Sequence, residues 1–143
     1  MVKTIHICTV CEEKFNTFDE AEEHERLPII EGNYEGKVAH VSGSLDWYGF
    51  IRKLTHISTN NHEKYYEFLL IPSPDLIDND PKKGVFVQYE ATDITGIQSR
   101  MESGRYRSLS EEELKKVNAF YTSRLKEDSR FPKPTSEKGY QSI

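Results

Sequence analysis

Cys8 and Cys11 stand in C-x-x-C spacing, and twelve residues separate Cys11 from His24. One pair of cysteines so close together cannot build a disulfide framework, which leaves a metal site or a redox pair. The flanking residues favour metal. Two thiolates on a strand knuckle and an imidazole on a helix are how a tetrahedral zinc is caged without a large core. Both positioning elements are legible. Thr4-Ile5-His6-Ile7 alternates and is rich in β-branched residues, so a short strand is predicted leading into the cysteines. Thr17-Phe18-Asp19-Glu20 has the form of a capping box, which starts a helix at Thr17. Asp19, Glu20, Glu22 and Glu23 suit the positive end of that helix, and Pro28 stops it. A thioredoxin-like redox pair needs a surrounding βαβ unit, which the sequence does not offer. Catalytic zinc needs a general base and a substrate cleft, and the sequence signals neither.

From His6 to Leu27 the chain resembles the two-Cys/two-His zinc finger family, with Cys8, Cys11, the aromatic Phe15 and His24 at matching positions. Ala21 stands where that family usually has a larger apolar residue. The second histidine is expected within 28–30, where the chain has Pro28, Ile29 and Ile30. Three outcomes are open. The site borrows a ligand, with His6, His40, His56, His62 or a helix glutamate as candidates. It binds zinc with three protein ligands and water, or it has lost metal and persists as a packed ββα remnant. Asp and Glu dominate the helix and would be repelled by phosphates, so a structural or protein-contacting role is expected rather than DNA reading.

The acidity is local. Of the 143 residues, the first 35 carry three basic and nine acidic side chains, a balance of −6. Residues 36–143 hold 16 basic and 15 acidic side chains, a balance of +1. At 36% apolar and 30% charged residues the chain can bury a modest core. No apolar run approaches the roughly 18 residues of a membrane helix, and no signal peptide is read at the N-terminus, so a cytoplasmic protein without a membrane partner is expected. A finger-like module over residues 1–31 and a second domain over 35–143 are predicted.

The second domain reads as mainly β. Lys37 to Val41, Trp47 to Ile57, Lys64 to Ile71 and Gly84 to Tyr89 are predicted strands, with Val117 to Thr122 after a polar stretch. Short strands punctuated by Gly, Pro and Asn turns argue for a small antiparallel barrel or sandwich. In Trp47-Tyr48-Gly49-Phe50-Ile51, strand alternation puts Tyr48 and Phe50 on one face and Ile51 on the other. Val85 and Val87 likewise oppose Phe86. With Ile51 and the valines inward, Tyr48, Phe50 and Phe86 are expected outside as a base-stacking surface, each stack contributing about 1–3 kcal/mol, the alternative being that they pack beneath a covering element. Arg52 continues that face, and Arg105 and Arg107 flank Tyr106, an arginine–aromatic mixture suited to a single-strand backbone.

Gly36-Lys37-Val38, Trp47 to Ile51 and Val85 to Tyr89 resemble, in order and chemistry, the cold-shock domain family. Tyr106 to Glu111 is similar to the loop before that family's fourth strand. Val117 to Phe120 would then be the strand itself, and Tyr140 to Ile143 the fifth. The resemblance implies a five-stranded antiparallel OB barrel binding single-stranded RNA or DNA. It places Tyr48, Phe50, Phe86 and Tyr89 as stacking rings, Gln88 as a base-edge partner in place of a histidine, and His40 in place of a tryptophan. Asp46 replaces the usual lysine, and Trp47, where the family has glycine, is expected to compensate by stacking. An insertion at about 52–84 enlarges the hairpin, with a polar tip at Thr59 to His62 and an acidic return through Asp75, Asp78 and Asp80. It is read either as a recognition element or as a tolerated surface insertion. The expected function is non-catalytic single-stranded nucleic-acid binding, as an RNA chaperone or a regulator of transcription or translation, with zinc in the finger. The alternative is a protein-interaction adaptor using the barrel, the insertion and the acidic module. No catalytic constellation points to an enzyme.

Overall fold

The structure, a computed structural model, describes residues 5–59, 61–78, 80 and 82–143. Thr4 of the first predicted strand and Asn60 of the predicted hairpin tip lie outside the described residues. The N-terminal module is ββα as expected. β1 (His6–Ile7) pairs antiparallel with β2 (Lys14–Phe15), and α1 (Phe18–Glu25) follows. Thr17 caps α1, its hydroxyl accepting the Glu20 amide at 3.2 Å.

The rest of the chain is built on one curled antiparallel sheet, a half-barrel in outline. β3 (Lys37–Val41), β4 (Trp47–Ile57), β5 (Lys64–Pro72) and β6 (Gln88–Asp93) form a meander. The far edge of β3 is shared. β7 (Tyr106–Arg107) pairs antiparallel with its second half, and β8 (Gln141–Ser142) runs parallel to its first half. Residues 84–87, predicted as strand, do not join the sheet, and β6 begins at Gln88.

Two helices lie in the domain that the sequence reads as strands and turns. α2 (Ile94–Glu102) is capped by Asp93, whose carboxylate accepts the Gly96 amide at 2.9 Å. α3 (Glu111–Phe120) replaces the predicted fourth strand at Val117 to Phe120 and runs on into a π-helical turn over Tyr121–Leu125. The cause is local. Ser110 and Glu113 form a complete capping box, with three glutamates in the positive first turn. Once nucleated there, Leu114, Val117, Tyr121 and Leu125 fall on one helical stripe that packs on the sheet.

Both faces of the sheet are therefore covered. On one side Val38, Tyr48, Phe50, Leu69 and Ile71 pack under Val117, Tyr121, Leu125, Phe131 and Tyr140. On the other, Ala39, Val41, Ile51, Phe68 and Leu70 pack against Ile94 and Ile97 of α2 and against Tyr106. The expectation that Tyr48 and Phe50 face solvent is corrected: Phe50 is 0% exposed, held edge-on by Phe131 and Tyr140 with ring centroids 5.1 and 4.9 Å away. Ile51 and Val85 also lie in different cores rather than one. Alternation separates the two faces of a strand, but only the layers packed on it decide which is wet. The unbroken run Phe68-Leu69-Leu70-Ile71 was the sign of a sheet buried on both sides.

No helix among the described residues is long and apolar enough to cross a membrane.

Candidate metal centre

Three segments converge at the outer end of the β4–β5 hairpin. The first is the knuckle between β1 and β2. The Cys8 amide donates to the Glu13 carbonyl at 2.9 Å and the Glu12 amide to the Cys8 carbonyl at 2.8 Å, which turns both thiols inward. Glu12 takes a left-handed backbone, φ 67°, to close this turn. The second is α1, which presents His24 from its last turn, the ring resting on Phe15 at 5.0 Å. The third is the hairpin tip, where Asn61 and His62 are both left-handed, φ 56° each. Two consecutive non-glycine residues in that region are costly, and such strain persists where the surroundings over-determine it. Here it aims the fully buried His62 ring at the thiols.

The four donor atoms of Cys8, Cys11, His24 and His62 all lie within 4.8 Å of one another. His62 Nε2 is 3.4 Å from Cys8 Sγ, and His24 Nε2 is 3.1 Å from Cys11 Sγ. The remaining ring nitrogen of His62 is spoken for. Nδ1 lies 2.9 Å from the Leu27 carbonyl, which can only accept, so Nδ1 carries the proton and Nε2 turns its lone pair to the cluster. Ile57 at the end of β4 packs on both cysteines with Val10 and Phe15, walling the site with apolar surface. Burial pushes the Cys11 thiol above its ordinary pKa, and the adjacent Cys8 adds to this. A dication at the centre reverses that preference and stabilises thiolates. The donor set is two sulfurs and two imidazole nitrogens, and it can hold a metal ion.

Of the candidate fourth ligands, His62 alone joins the thiols. His40 is buried in the sheet beside Asp46, His56 packs edge-on against Tyr65, and His6 against Phe18. The helix glutamates do not enter the cluster, although the Glu13 carboxylate stands 3.2 Å from His24 Nε2. The β4–β5 hairpin thus supplies a ligand from its tip. It also ties that tip down. The Ile30 amide donates to the His62 carbonyl and the Lys64 amide to the Ile30 carbonyl, both at 2.9 Å. The buried Glu63 carboxylate accepts the Thr95 amide and hydroxyl at the start of α2, and Ser58 donates to Asp93 at 2.7 Å. The centre joins finger, linker, hairpin and α2.

The residues expected to bind nucleic acid are not gathered on one open face. Tyr48 is buried and donates to Glu113 on α3 at 3.0 Å, and burial with that carboxylate pushes its pKa up to about 12. His40 is buried edge-on to Tyr48, with its Nδ1 unbonded among the described residues. Trp47 is half-buried in the second core, and Arg52 is bonded to Glu67 and to the Arg130 carbonyl. Arg105 is held by Glu90 at 2.7 Å, while Arg107 is exposed 3.7 Å from Glu113. Phe86, Gln88 and Tyr89 are outside, with Phe86 64% and Tyr89 52% exposed.

Comparison with protein-family models, with curated proteins and with solved structures finds no match to this chain.

Proposed function

We propose that this chain is a non-catalytic interaction module in which a structural zinc ion locks the acidic finger onto the sheet domain. The observation that carries the proposal is the origin of the fourth donor: His62 belongs to the sheet hairpin and the other three donors to the finger. Two thiolates and two imidazoles suit zinc, and four protein donors leave no coordination position for water or substrate, the mark of a structural site. Zinc with two thiolates adds no net charge, so the first 35 residues keep their balance of −6. An anionic element held rigidly at one end of a nearly neutral domain repels polyanions and attracts basic protein surfaces. The burial of Tyr48 and Phe50 takes away the rings on which base stacking was expected to rest.

Single-strand nucleic-acid binding is the second reading, favoured by the exposed Phe86 and by the exposed Tyr89, which lies beside Arg130. It carries with it closure of the half-barrel in the manner of an OB or cold-shock fold. One titration separates the two. Fluorescent single-stranded RNA and DNA oligonucleotides at low salt are expected to show no saturable binding to the zinc-loaded chain. Binding that weakens linearly in log salt and disappears in Phe86→Ala/Tyr89→Ala would select the second reading. Nuclease-treated pull-downs with the zinc-loaded chain are expected to retain protein partners that chelator-treated chain does not.

A further inference from the structure

The metal-facing side of α1 is used by His24, but its other side is not covered. Phe18, Ala21, Glu22 and Glu25 follow one another at i, i+3, i+4 and i+7, a single stripe of the helix. Facing that stripe stand Ile7 of β1, Ile5 just before it and His6, whose ring meets Phe18 edge-on at 6.0 Å. Between them runs a groove of 540 Å³. Its large apolar residues are left in solvent: Ile5 is 57%, Ile7 50% and Phe18 62% exposed. A module this small holds itself together with a metal and a few apolar contacts, so three large exposed apolar side chains along one groove are a substantial uncovered surface. The rim is acidic. Glu25 is held at the groove by the Thr9 amide and hydroxyl, both donating at 2.7 Å. Glu22 lines the same groove with its carboxylate accepting from Arg26 at 2.7 Å, and Asp19 and Glu23 beside it leave the rim acidic overall.

We propose that the groove between β1 and α1 is the docking site for a basic peptide segment of another protein, one that carries large apolar side chains between lysines or arginines. This rests on the reading of the finger as a protein-facing element. The apolar side chains would fill the floor formed by Ile5, Ile7, Phe18 and Ala21, and the cations would meet Glu22 and Glu25. Charge decides the occupant. A second copy of this chain would bring glutamate against glutamate across the contact, and a nucleic acid would bring phosphate against them.

The test uses the full zinc-loaded chain as bait for a phage-displayed library of random peptides, counter-selected on a Phe18→Ser variant. Because Phe18 is largely exposed, that variant is expected to fold, and an unchanged cobalt(II) spectrum checks it. Enriched peptides are expected to carry net positive charge with at least two large apolar residues. Removing one buried aromatic contact is expected to weaken them about 10-fold or more. A Glu22→Lys/Glu25→Lys variant is expected to weaken them as well. The proposal is overturned by no enrichment over the Phe18→Ser chain, or by enriched peptides that are neutral or acidic. A wild-type dimer in sedimentation that Phe18→Ser dissociates would assign the groove to a second copy and also overturn it. Failure of the groove alone leaves the oligonucleotide titration flat, whereas failure of the interaction-module reading shows as salt-dependent oligonucleotide binding through Phe86 and Tyr89.

Discussion

Replacing His62 by alanine separates a finger that borrows its fourth donor from one that is complete in itself. Structural zinc sites of this class bind with an apparent free energy of about 10–16 kcal/mol, so one donor in four accounts for roughly 2.5–4 kcal/mol. Losing it is expected to weaken zinc binding on the order of 10²–10³-fold. The Nδ1 hydrogen bond to the Leu27 carbonyl disappears with the ring, which costs about 0.5–1.5 kcal/mol more in how the linker is held. The assay is competition against a chromophoric chelator, with cobalt(II) substitution reporting the ligand set. Wild type is expected to give the intense ligand-field bands of a tetrahedral S2N2 site. His62→Ala should shift toward a three-donor or solvated spectrum. Hydrogen exchange supplies a second readout, because the Ile30 and Lys64 amides are bonded across the joint between linker and hairpin. They are expected to lose protection both in His62→Ala and in the chelated wild type. Unaltered affinity, or a tetrahedral S2N2 spectrum in His62→Ala, refutes the borrowed ligand.

Phe50→Ala is expected to lower stability by about 3–5 kcal/mol in urea unfolding, since the ring is enclosed by Phe131 and Tyr140 and the cavity cannot readily collapse. A change under about 1 kcal/mol would mean that Phe131 and Tyr140 do not enclose Phe50. Acid is expected to weaken the fold in part through Glu90. Burial alone raises its pKa, but hydrogen bonds from Arg105 and Tyr106 outweigh this and hold the carboxyl below its ordinary value. A carboxylate depressed in the folded state contributes stability that is complete above the unfolded pKa of about 4.3 and is lost as pH falls through the lower folded value. The urea midpoint should therefore drop below about pH 4.5, with a shallower acid slope in Glu90→Gln; parallel slopes would remove Glu90 from the explanation.

Much of the local structure was legible before any coordinates. Three of the four strands of the meander, β3, β4 and β5, fall where period-two patterning places them, and α1 begins at its Thr17 cap. These features are written in residues a few positions apart, where propensity, capping and alternation act. The capping box at Ser110 is equally local, and it sets a helix where the cold-shock resemblance implies a strand over Val117 to Phe120.

Cys8, Cys11 and His24 were likewise identifiable, because a knuckle and one helical turn set their spacing. His62 could be named only as one histidine among several, since no spacing rule joins His24 to a residue 38 positions later on another element. Folding the β4–β5 hairpin back over the finger, with its tip in a left-handed turn, makes the match. Tertiary structure also decided the fate of the aromatic face. Alternation sorted Tyr48 and Phe50 from Ile51 correctly, yet whether a ring meets water depends on layers packed from α3, Phe131 and Tyr140, far along the chain. Short-range sequence chemistry determines which side chains share a face; long-range packing determines which face is left to the solvent.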